Sequence, residues 1–230
     1  MSGARQGGVR AVLFDLDGTL ADTERLQWQA YSRVLARFGI AVDLDTYRRR
    51  FVAVAGGAEW ACEAFRLPID AATLRAEKAV AYRRLLEGSV AAMPGARAAL
   101  TRLRPRWRLG VATNSVRDEA WIVLERIGLH DLLDTVVARE DYAAAKPAPD
   151  AWLAAAQRLR VAPAECVVVE DTPRGLAAGL AAGMRVIAVP SDLTADQDFT
   201  GAVAVLPSLD ALTPALLERL APPSGWAQGR

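Results

Sequence analysis

The sequence predicts a doubly wound α/β fold, in which helices cover both faces of a parallel sheet and a helical segment is inserted after the first strand. Six short runs rich in Val, Leu and Ile lack polar alternation, which is typical of strands buried on both faces. Helical patterns separate most of these runs, and this alternation favours a doubly wound sheet. Between residues 21 and 92 the pattern is helical and contains no convincing strand.

The individual elements follow from local patterns. Strands are predicted at residues 9–14, 107–112, 135–138, 166–169, 185–189 and 202–206. Core helices are predicted within "VRDEAWIVLERIG", "APDAWLAAAQRLR" and "PRGLAAGLAAGM", and inserted helices within "RLQWQAYSRVLARFG" and "ATLRAEKAVAYRRLLEG". Residues 88–95, "GSVAAMPG", are interpreted as the hinge that returns the chain to the sheet, because Pro94 and Gly95 are typical of a turn before a helix.

Composition limits the class of protein. With 230 residues, 52% of them apolar and 24% charged, the chain can bury the core of one domain plus an insertion. A net charge of +1 gives no field that would attract nucleic acid or an anionic membrane, and no apolar stretch is long enough to span a bilayer. The polar start "MSGARQGG" lacks a signal-peptide core, and Cys62 and Cys166 make no disulfide framework. We therefore expect a cytoplasmic protein with no nucleic-acid or membrane partner, as a monomer or a weak homodimer.

Two residue types are scarce. The single histidine, His130, excludes a zinc site built on several histidines, and Ser-His catalysis would depend on that residue alone. Of 28 basic residues only Lys78 and Lys146 are lysines. In so arginine-rich a chain, a retained lysine indicates a place where a compact ammonium is needed, although chance would also leave two.

Polar side chains follow three of the predicted strands. Asp15 and Asp17 follow the first strand, Gly18 permits a tight turn after them, and Lys146 lies in the loop "AKPAPD". The other groups at strand ends are Thr113, Asn114, Ser115, Glu170 and Asp171. Ligands of open α/β sheets bind beyond the carboxyl ends of the strands, so these groups should meet at one edge. Carboxylates suit Mg²⁺, while helix amides and a lysine suit phosphate, and the pattern predicts phosphoryl transfer.

Each of these residues also has an ordinary structural explanation. The "DLDG" sequence would fit a simple turn, but not an EF-hand calcium loop, whose twelfth position would be Leu26 rather than Glu. Thr113, Asn114 and Asp171 are suitable helix caps, and an isolated lysine such as Lys146 is usually a surface residue. The ordered combination favours catalysis over these separate explanations.

The combination resembles a known family. "DLDGT", "ATNS", "KPAPD" and "ED", in this order, are similar to the four motifs of the haloacid dehalogenase superfamily. The resemblance covers nearly the whole chain and is strongest to the branch with phosphoglycolate phosphatase, sugar-phosphate phosphatases and β-phosphoglucomutase. It implies a Rossmann-like catalytic core at residues 1–20 and 93–230 and an α-helical cap at residues 21–92.

The resemblance also implies catalytic roles. Asp15 would be the nucleophile that forms an aspartyl-phosphate. Asp17 would act as general acid toward the leaving oxygen and then as general base on water. Thr113, helped by Asn114, would bind the phosphoryl oxygens, and Lys146 would neutralise the nucleophile and the phosphate.

A magnesium ion is implied by the same motifs. Asp15, Asp171 and the backbone carbonyl of Asp17 would hold Mg²⁺, and Glu170 would ligate it directly or through water.

Substrate choice is expected to depend on the cap. Lys78 resembles a cap lysine that contacts substrate in sugar-phosphate members, and an exposed helix lysine is the alternative. Gln27 stands where mutase members carry a histidine, and because glutamine cannot relay a proton it argues for hydrolysis.

The sequence therefore predicts a Mg²⁺-dependent phosphatase for a small phosphorylated metabolite, such as a sugar phosphate or phosphoglycolate. A β-phosphoglucomutase-like phosphomutase, disfavoured by Gln27, and a non-catalytic phosphate-binding protein are the alternatives. A dehalogenase is disfavoured by Asp17, because those members lack the second aspartate.

Overall fold

A computed structural model describes residues 8–220, in which a six-stranded parallel sheet has the order β5-β4-β1-β6-β7-β8. The strands are β1 (Ala11–Phe14), β2 (Ala21–Asp22), β3 (Ala91–Ala92), β4 (Arg108–Ala112), β5 (Thr135–Val137), β6 (Cys166–Glu170), β7 (Arg185–Ala188) and β8 (Ala204–Val205). The helices are α1 (Glu24–Ala36), α2 (Leu44–Tyr47), α3 (Gly57–Ala64), α4 (Ala71–Leu86), α5 (Ala96–Leu103), α6 (Arg117–Arg126), α7 (Asp150–Leu159), α8 (Pro173–Ala181) and α9 (Pro214–Arg219). The predicted doubly wound α/β fold is confirmed, and each of the six predicted strands is present in the sheet.

One prediction about the insertion was wrong. Residues 21–92 were expected to contain no strand, but β2 and β3 pair antiparallel at its two ends, with Ala21 opposite Ala92 and Asp22 opposite Ala91. Strands of two residues are too short to show a hydrophobic period, so the sequence gave no sign of them. Their pairing places the segment that enters the insertion beside the segment that leaves it.

The sheet lies between two apolar layers. Val12 and Phe14 of β1 pack into a layer that includes Leu100 of α5, because alternate side chains of a strand face opposite sides of the sheet. Leu13 packs on the other side, in a layer that includes Trp152 of α7. Every residue of β1 is fully buried. This packing holds the central strand in place and so fixes the position of the residues that follow its carboxyl end.

Helices α1 to α4 have an apolar cluster of their own. It contains buried side chains from α1, α3 and α4, including Leu35, Ala61 and Leu74. A separate core of this kind is compatible with a cap at residues 21–92, and the exact division of the chain stays a prediction. None of the helices within residues 8–220 is both long and apolar enough to cross a membrane. The polar chain start, for which no signal peptide is predicted, lies outside the described residues except for Gly8.

Candidate active site

The functional groups meet at the carboxyl edge of three adjacent strands. Asp15 follows β1, Thr113 follows β4, and Glu170 is the last residue of β6. Because β4, β1 and β6 are parallel neighbours, their carboxyl ends lie side by side. Gly18 has a φ of +84°, and a Cβ at this position would overlap the carboxylate of Asp171. The turn after β1 therefore requires glycine, which lets the backbone lie against that carboxylate.

Lys146 lies at the centre of a buried charge cluster. Its side chain comes from the loop before α7, is only 4% exposed, and donates hydrogen bonds to Asp15 Oδ1 at 2.5 Å and Glu170 Oε1 at 2.9 Å. The other carboxylate oxygen of Glu170 accepts from the backbone N–H and the hydroxyl of Thr172, both at 2.8 Å. Glu170 is thus held entirely by protein donors, and one of them is the predicted catalytic lysine.

Burial sets the protonation of this cluster. It raises the pKa of Asp15 to about 8, against the opposing effect of Lys146 and with the support of Glu170 and Asp17. Burial also disfavours the charged form of Lys146, but Asp15 and Glu170 outweigh it, so the pKa of Lys146 is raised. The lysine therefore carries its positive charge at neutral pH.

The carboxylate of Asp17 is held by hydroxyl groups. Oδ2 accepts from Ser115 Oγ at 2.7 Å and Thr113 Oγ1 at 3.3 Å, and Oδ1 accepts from Thr23 Oγ1 at 2.6 Å. Sequence reasoning gave Ser115 no role, although it belongs to the "ATNS" motif. Together with Tyr82 Oη, which lies 3.5 Å from Oδ1, these hydroxyls fix the direction of the carboxylate, as expected for a group that must meet one particular oxygen of a substrate.

Asn114 anchors the loop that carries the lysine. Its Oδ1 accepts from Tyr142 Oη at 2.8 Å and from the backbone N–H of Lys146 at 3.2 Å. These contacts support a positioning role, and direct binding of phosphate by Asn114 stays a prediction.

The donor set fits a divalent cation. Asp171 is fully buried; its Oδ1 accepts from Thr19 Oγ1 at 3.0 Å, while its Oδ2 has no hydrogen-bond partner within residues 8–220. Burial, with Glu170 and Asp15 adding to it, raises the pKa of Asp171 well above its usual range. Asp15, Glu170 and Asp171 thus form a buried cluster of interacting carboxylates that contains one ammonium, and an oxygen-seeking cation would balance the excess negative charge.

The side chains alone do not complete a metal site. No group of three or more His, Cys, Asp and Glu side chains among residues 8–220 is arranged to hold a metal ion. Both carboxylate oxygens of Asp17 and of Glu170 accept hydrogen bonds from protein donors, whereas Asp15 and Asp171 each accept on one oxygen only among the described residues, which makes them the best-placed carboxylates. Backbone, water or substrate oxygens would have to supply the other ligands, which is the usual way in which proteins hold Mg²⁺.

A cavity of about 550 Å³ is lined both by residues of this sheet edge and by residues of the insertion. Lys78 lines it, half-buried, with Nζ 4.6 Å from the ring centroid of Tyr82 and 5.7 Å from that of Tyr31. Burial lowers the pKa of Lys78. The exposed-lysine alternative is therefore wrong, and contact with substrate stays a prediction.

Two further polar groups of α1 line the cavity. Gln27 is 9% exposed, and its Oε1 has no hydrogen-bond partner within the described residues. Glu24 accepts a hydrogen bond of 2.8 Å from Tyr47 Oη, and burial raises its pKa to about 7. Sequence reasoning missed Glu24 and Tyr47, because nothing in the local sequence shows that these two segments meet.

Comparison with known proteins gives consistent matches. A family model described as haloacid dehalogenase-like hydrolase matches residues 9–183. Fructose-1-phosphate phosphatase YqaB from Escherichia coli is 34% identical over 187 residues, which cover 77% of this chain and 95% of that protein. Protein CbbY from Rhodobacter capsulatus is 33% identical over 215 residues, covering 88% of this chain and 95% of that protein.

Solved structures agree with the observed architecture. CbbY from Rhodobacter sphaeroides in complex with phosphate superposes with a TM-score of 0.80 at 30% identity, covering 92% of this chain and 100% of that one. A putative β-phosphoglucomutase from Thermotoga maritima superposes with a TM-score of 0.71 at 30% identity, with the same coverage of 92% and 100%. The similarity therefore extends over the sheet and the inserted helices alike.

Proposed function

This chain belongs to the haloacid dehalogenase-like hydrolases and is a phosphoric monoester hydrolase, and from this membership we propose a Mg²⁺-dependent phosphatase acting through an aspartyl-phosphate. Its substrate would be a small phosphomonoester of the sugar-phosphate or phosphoglycolate type. One observation carries the proposal: the ammonium of Lys146 donates to both Asp15 and Glu170, and the next residue, Asp171, has a buried Oδ2 without a hydrogen-bond partner among residues 8–220. This arrangement offers a nucleophile, a positive charge and a cation site in one place.

The first half-reaction uses Asp15 and Asp17. A carboxylate oxygen of Asp15 bonds to phosphorus as the ester P–O bond breaks, and Asp17 gives a proton to the leaving oxygen. Lys146 offsets the charge that gathers between nucleophile and phosphoryl group. Thr113 lies beside Asp17 and can donate its hydroxyl to a phosphoryl oxygen.

The second half-reaction restores the enzyme. Asp17, still oriented by Ser115 and Thr23, takes a proton from water as the water oxygen bonds to phosphorus. The bond between phosphorus and Asp15 then breaks, which releases inorganic phosphate and the free carboxylate.

Asp15 and Asp171, with the backbone carbonyl of Asp17, would hold the magnesium ion. When bound, Mg²⁺ supplies the positive charge that lets an anionic nucleophile approach an anionic phosphoryl group.

The cavity supports a small polar substrate. Glu24, Gln27 and Lys78, which come from the insertion, offer the cavity an acceptor, an amide and an ammonium. Fructose-1-phosphate phosphatase among the relatives is in keeping with a hydroxylated leaving group. Gln27 cannot relay a proton, so the cap side supports hydrolysis rather than the phosphomutase alternative.

The proposal is tested by phosphate release from a panel of glycolate, hexose, pentose and nucleoside phosphates, with and without Mg²⁺. Wild type should release phosphate only with Mg²⁺, and Asp15→Asn should abolish the release. Asp22→Asn, which changes an exposed aspartate on the same segment, is the matched control and should retain the activity. Isomerisation of β-glucose 1-phosphate without net release would contradict the proposal in favour of a mutase, and binding without turnover would favour a non-catalytic protein.

A further inference from the structure

We propose that Trp152 is a positioning residue for catalysis, whose indole face holds the ammonium of Lys146 in place by a cation–π contact. The inference rests on the proposed function, because it concerns the lysine assigned to phosphoryl transfer. Nζ of Lys146 lies 3.9 Å from the ring centroid of Trp152. This distance is well inside the range of about 6 Å within which an aromatic face attracts a cation.

No hydrogen bond of the indole N–H accounts for the position of the Trp152 ring. Trp152 is fully buried in α7, and its Nε1 has no hydrogen-bond acceptor within residues 8–220. Buried tryptophans usually pair this N–H, and leaving it unpaired has a cost in stability. Trp107, also largely buried, follows the usual rule and donates to the backbone oxygen of Val9 at 3.0 Å.

The ammonium has three donors and two oxygen acceptors. Asp15 and Glu170 accept from Nζ, and the described residues provide no third acceptor. The face of Trp152 covers the ammonium and offers negative charge without a competing oxygen atom. An aromatic face therefore completes the surroundings of the cation while leaving its hydrogen bonds directed at the nucleophile and at Glu170.

This placement affects the chemical step more than substrate binding. The charge on the phosphoryl group and nucleophile is redistributed in the transition state, where Lys146 must be in position. A ring that limits the movement of the ammonium reduces the reorganisation needed at that moment. Weakening the ring's negative face should therefore lower kcat and leave KM nearly unchanged.

Fluorinated tryptophans test the electrostatic contact at nearly constant shape. Mono-, di-, tri- and tetrafluorotryptophan inserted at position 152 should lower kcat stepwise, by roughly tenfold over the series. Trp152→Phe should retain more activity than Trp152→Leu, because phenylalanine restores an aromatic face. The same fluorinated series at Trp107, which contacts no lysine, is the matched control and should leave kcat unchanged. A flat kcat across the series at position 152 would overturn the inference, whatever Trp152→Leu does.

A second measurement needs no turnover. The chain has two lysines, so lysine labelled with ¹³C at Cε gives two side-chain signals, and Lys78→Arg assigns them. The Cε protons of Lys146 should be shifted upfield by the indole ring current, and Trp152→Leu, checked for folding by thermal unfolding, should remove that shift. An unshifted Lys146 signal in wild type would overturn the inference. If wild type shows the shift but hydrolyses no phosphomonoester, the proposed function fails and the contact stands.

Discussion

Binding of Mg²⁺ at neutral pH should release about one proton from the carboxylate cluster. Asp15, Glu170 and Asp171 are buried, Lys146 donates hydrogen bonds to the first two, and burial raises the pKa of Asp15 to about 8. The metal-free cluster therefore holds a proton at pH 7. Metal-ligating carboxylates must be deprotonated, so the proton has to leave when the ion binds.

The size of the release follows from that pKa. A carboxyl with a pKa of about 8 is about 90% protonated at pH 7 and about 10% protonated at pH 9. Asp171, whose pKa is also raised, can only add to the release at pH 7. Because these groups titrate together, the proton belongs to the cluster rather than to one oxygen atom. We expect roughly one proton released per Mg²⁺ at pH 7, with a smaller number at higher pH.

Isothermal titration calorimetry measures this number directly. Mg²⁺ is titrated into the protein at pH 7 in two buffers with different enthalpies of ionisation, and the difference in heat gives the protons released. The titration is then repeated at pH 9. Asp22→Asn, which alters an exposed aspartate outside the cluster, should release as many protons as wild type.

A release below about 0.2 proton at pH 7 would refute the reasoning. It would mean that Asp15 and Asp171 are already ionised before the metal arrives. A normal release that does not fall at pH 9 would place the proton on a group with a much higher pKa than that of Asp15.

Three further predictions follow from individual contacts. Ser115→Ala removes the 2.7 Å hydrogen bond to Asp17 and should lower kcat for phosphate release by roughly tenfold, since hydrogen bonds to charged groups are the stronger ones. Glu24 has a pKa of about 7 when folded against an ordinary value of 4.5, so the folded state binds more protons between these values and stability should fall as pH rises through that window. Urea unfolding of Glu24→Gln at pH 4.5 and pH 7 should show a smaller fall than wild type. Gly175→Ala places a Cβ on the carboxylate of Glu170. It should lower the free energy of unfolding, measured by urea titration, by about 1–3 kcal/mol, and it should also lower the rate of phosphate release.

Matched variants separate these effects from general damage. Ser208→Ala changes a serine outside the cavity lining and should keep the wild-type kcat. Glu87→Gln changes an exposed glutamate and should keep the wild-type dependence of stability on pH. Gly8→Ala adds a Cβ with no neighbour within 4 Å and should leave unfolding unchanged. Each prediction has a result that would contradict it. These results are full activity of Ser115→Ala, an unchanged dependence of stability on pH in Glu24→Gln, and wild-type stability of Gly175→Ala.

The catalytic edge could be predicted because its information is local. Asp15, Thr113 and Glu170 each follow an apolar run, and parallel strands necessarily place their carboxyl ends together. The sequence did not show how the polar groups are shared at that edge. The hydrogen-bond donors that Glu170 and Asp17 meet come from segments that are distant in sequence. Which of them come into contact depends on side-chain directions that only the folded structure shows.

The cap side was less predictable for a related reason. Glu24 and Tyr47 belong to different segments, and their hydrogen bond exists only because the inserted helices fold back on one another. Whether the amide oxygen of Gln27 finds a hydrogen-bond partner likewise depends on what packs around it, and within residues 8–220 it finds none. The two-residue strands β2 and β3 are too short to show a hydrophobic period, so the sequence of the insertion appeared purely helical.

The scarcity of lysine was a better signal than any single motif. Both lysines line the same cavity, and each lies over an aromatic ring, Lys146 over Trp152 and Lys78 over Tyr82. A guanidinium is a broad planar fork that spreads its five donors, whereas an ammonium concentrates its charge on one small atom. Only the smaller group can sit between Asp15 and Glu170 with a ring 3.9 Å behind it. In a chain that uses arginine almost everywhere else, both lysines lie at positions where an aromatic ring limits the space beside the charge.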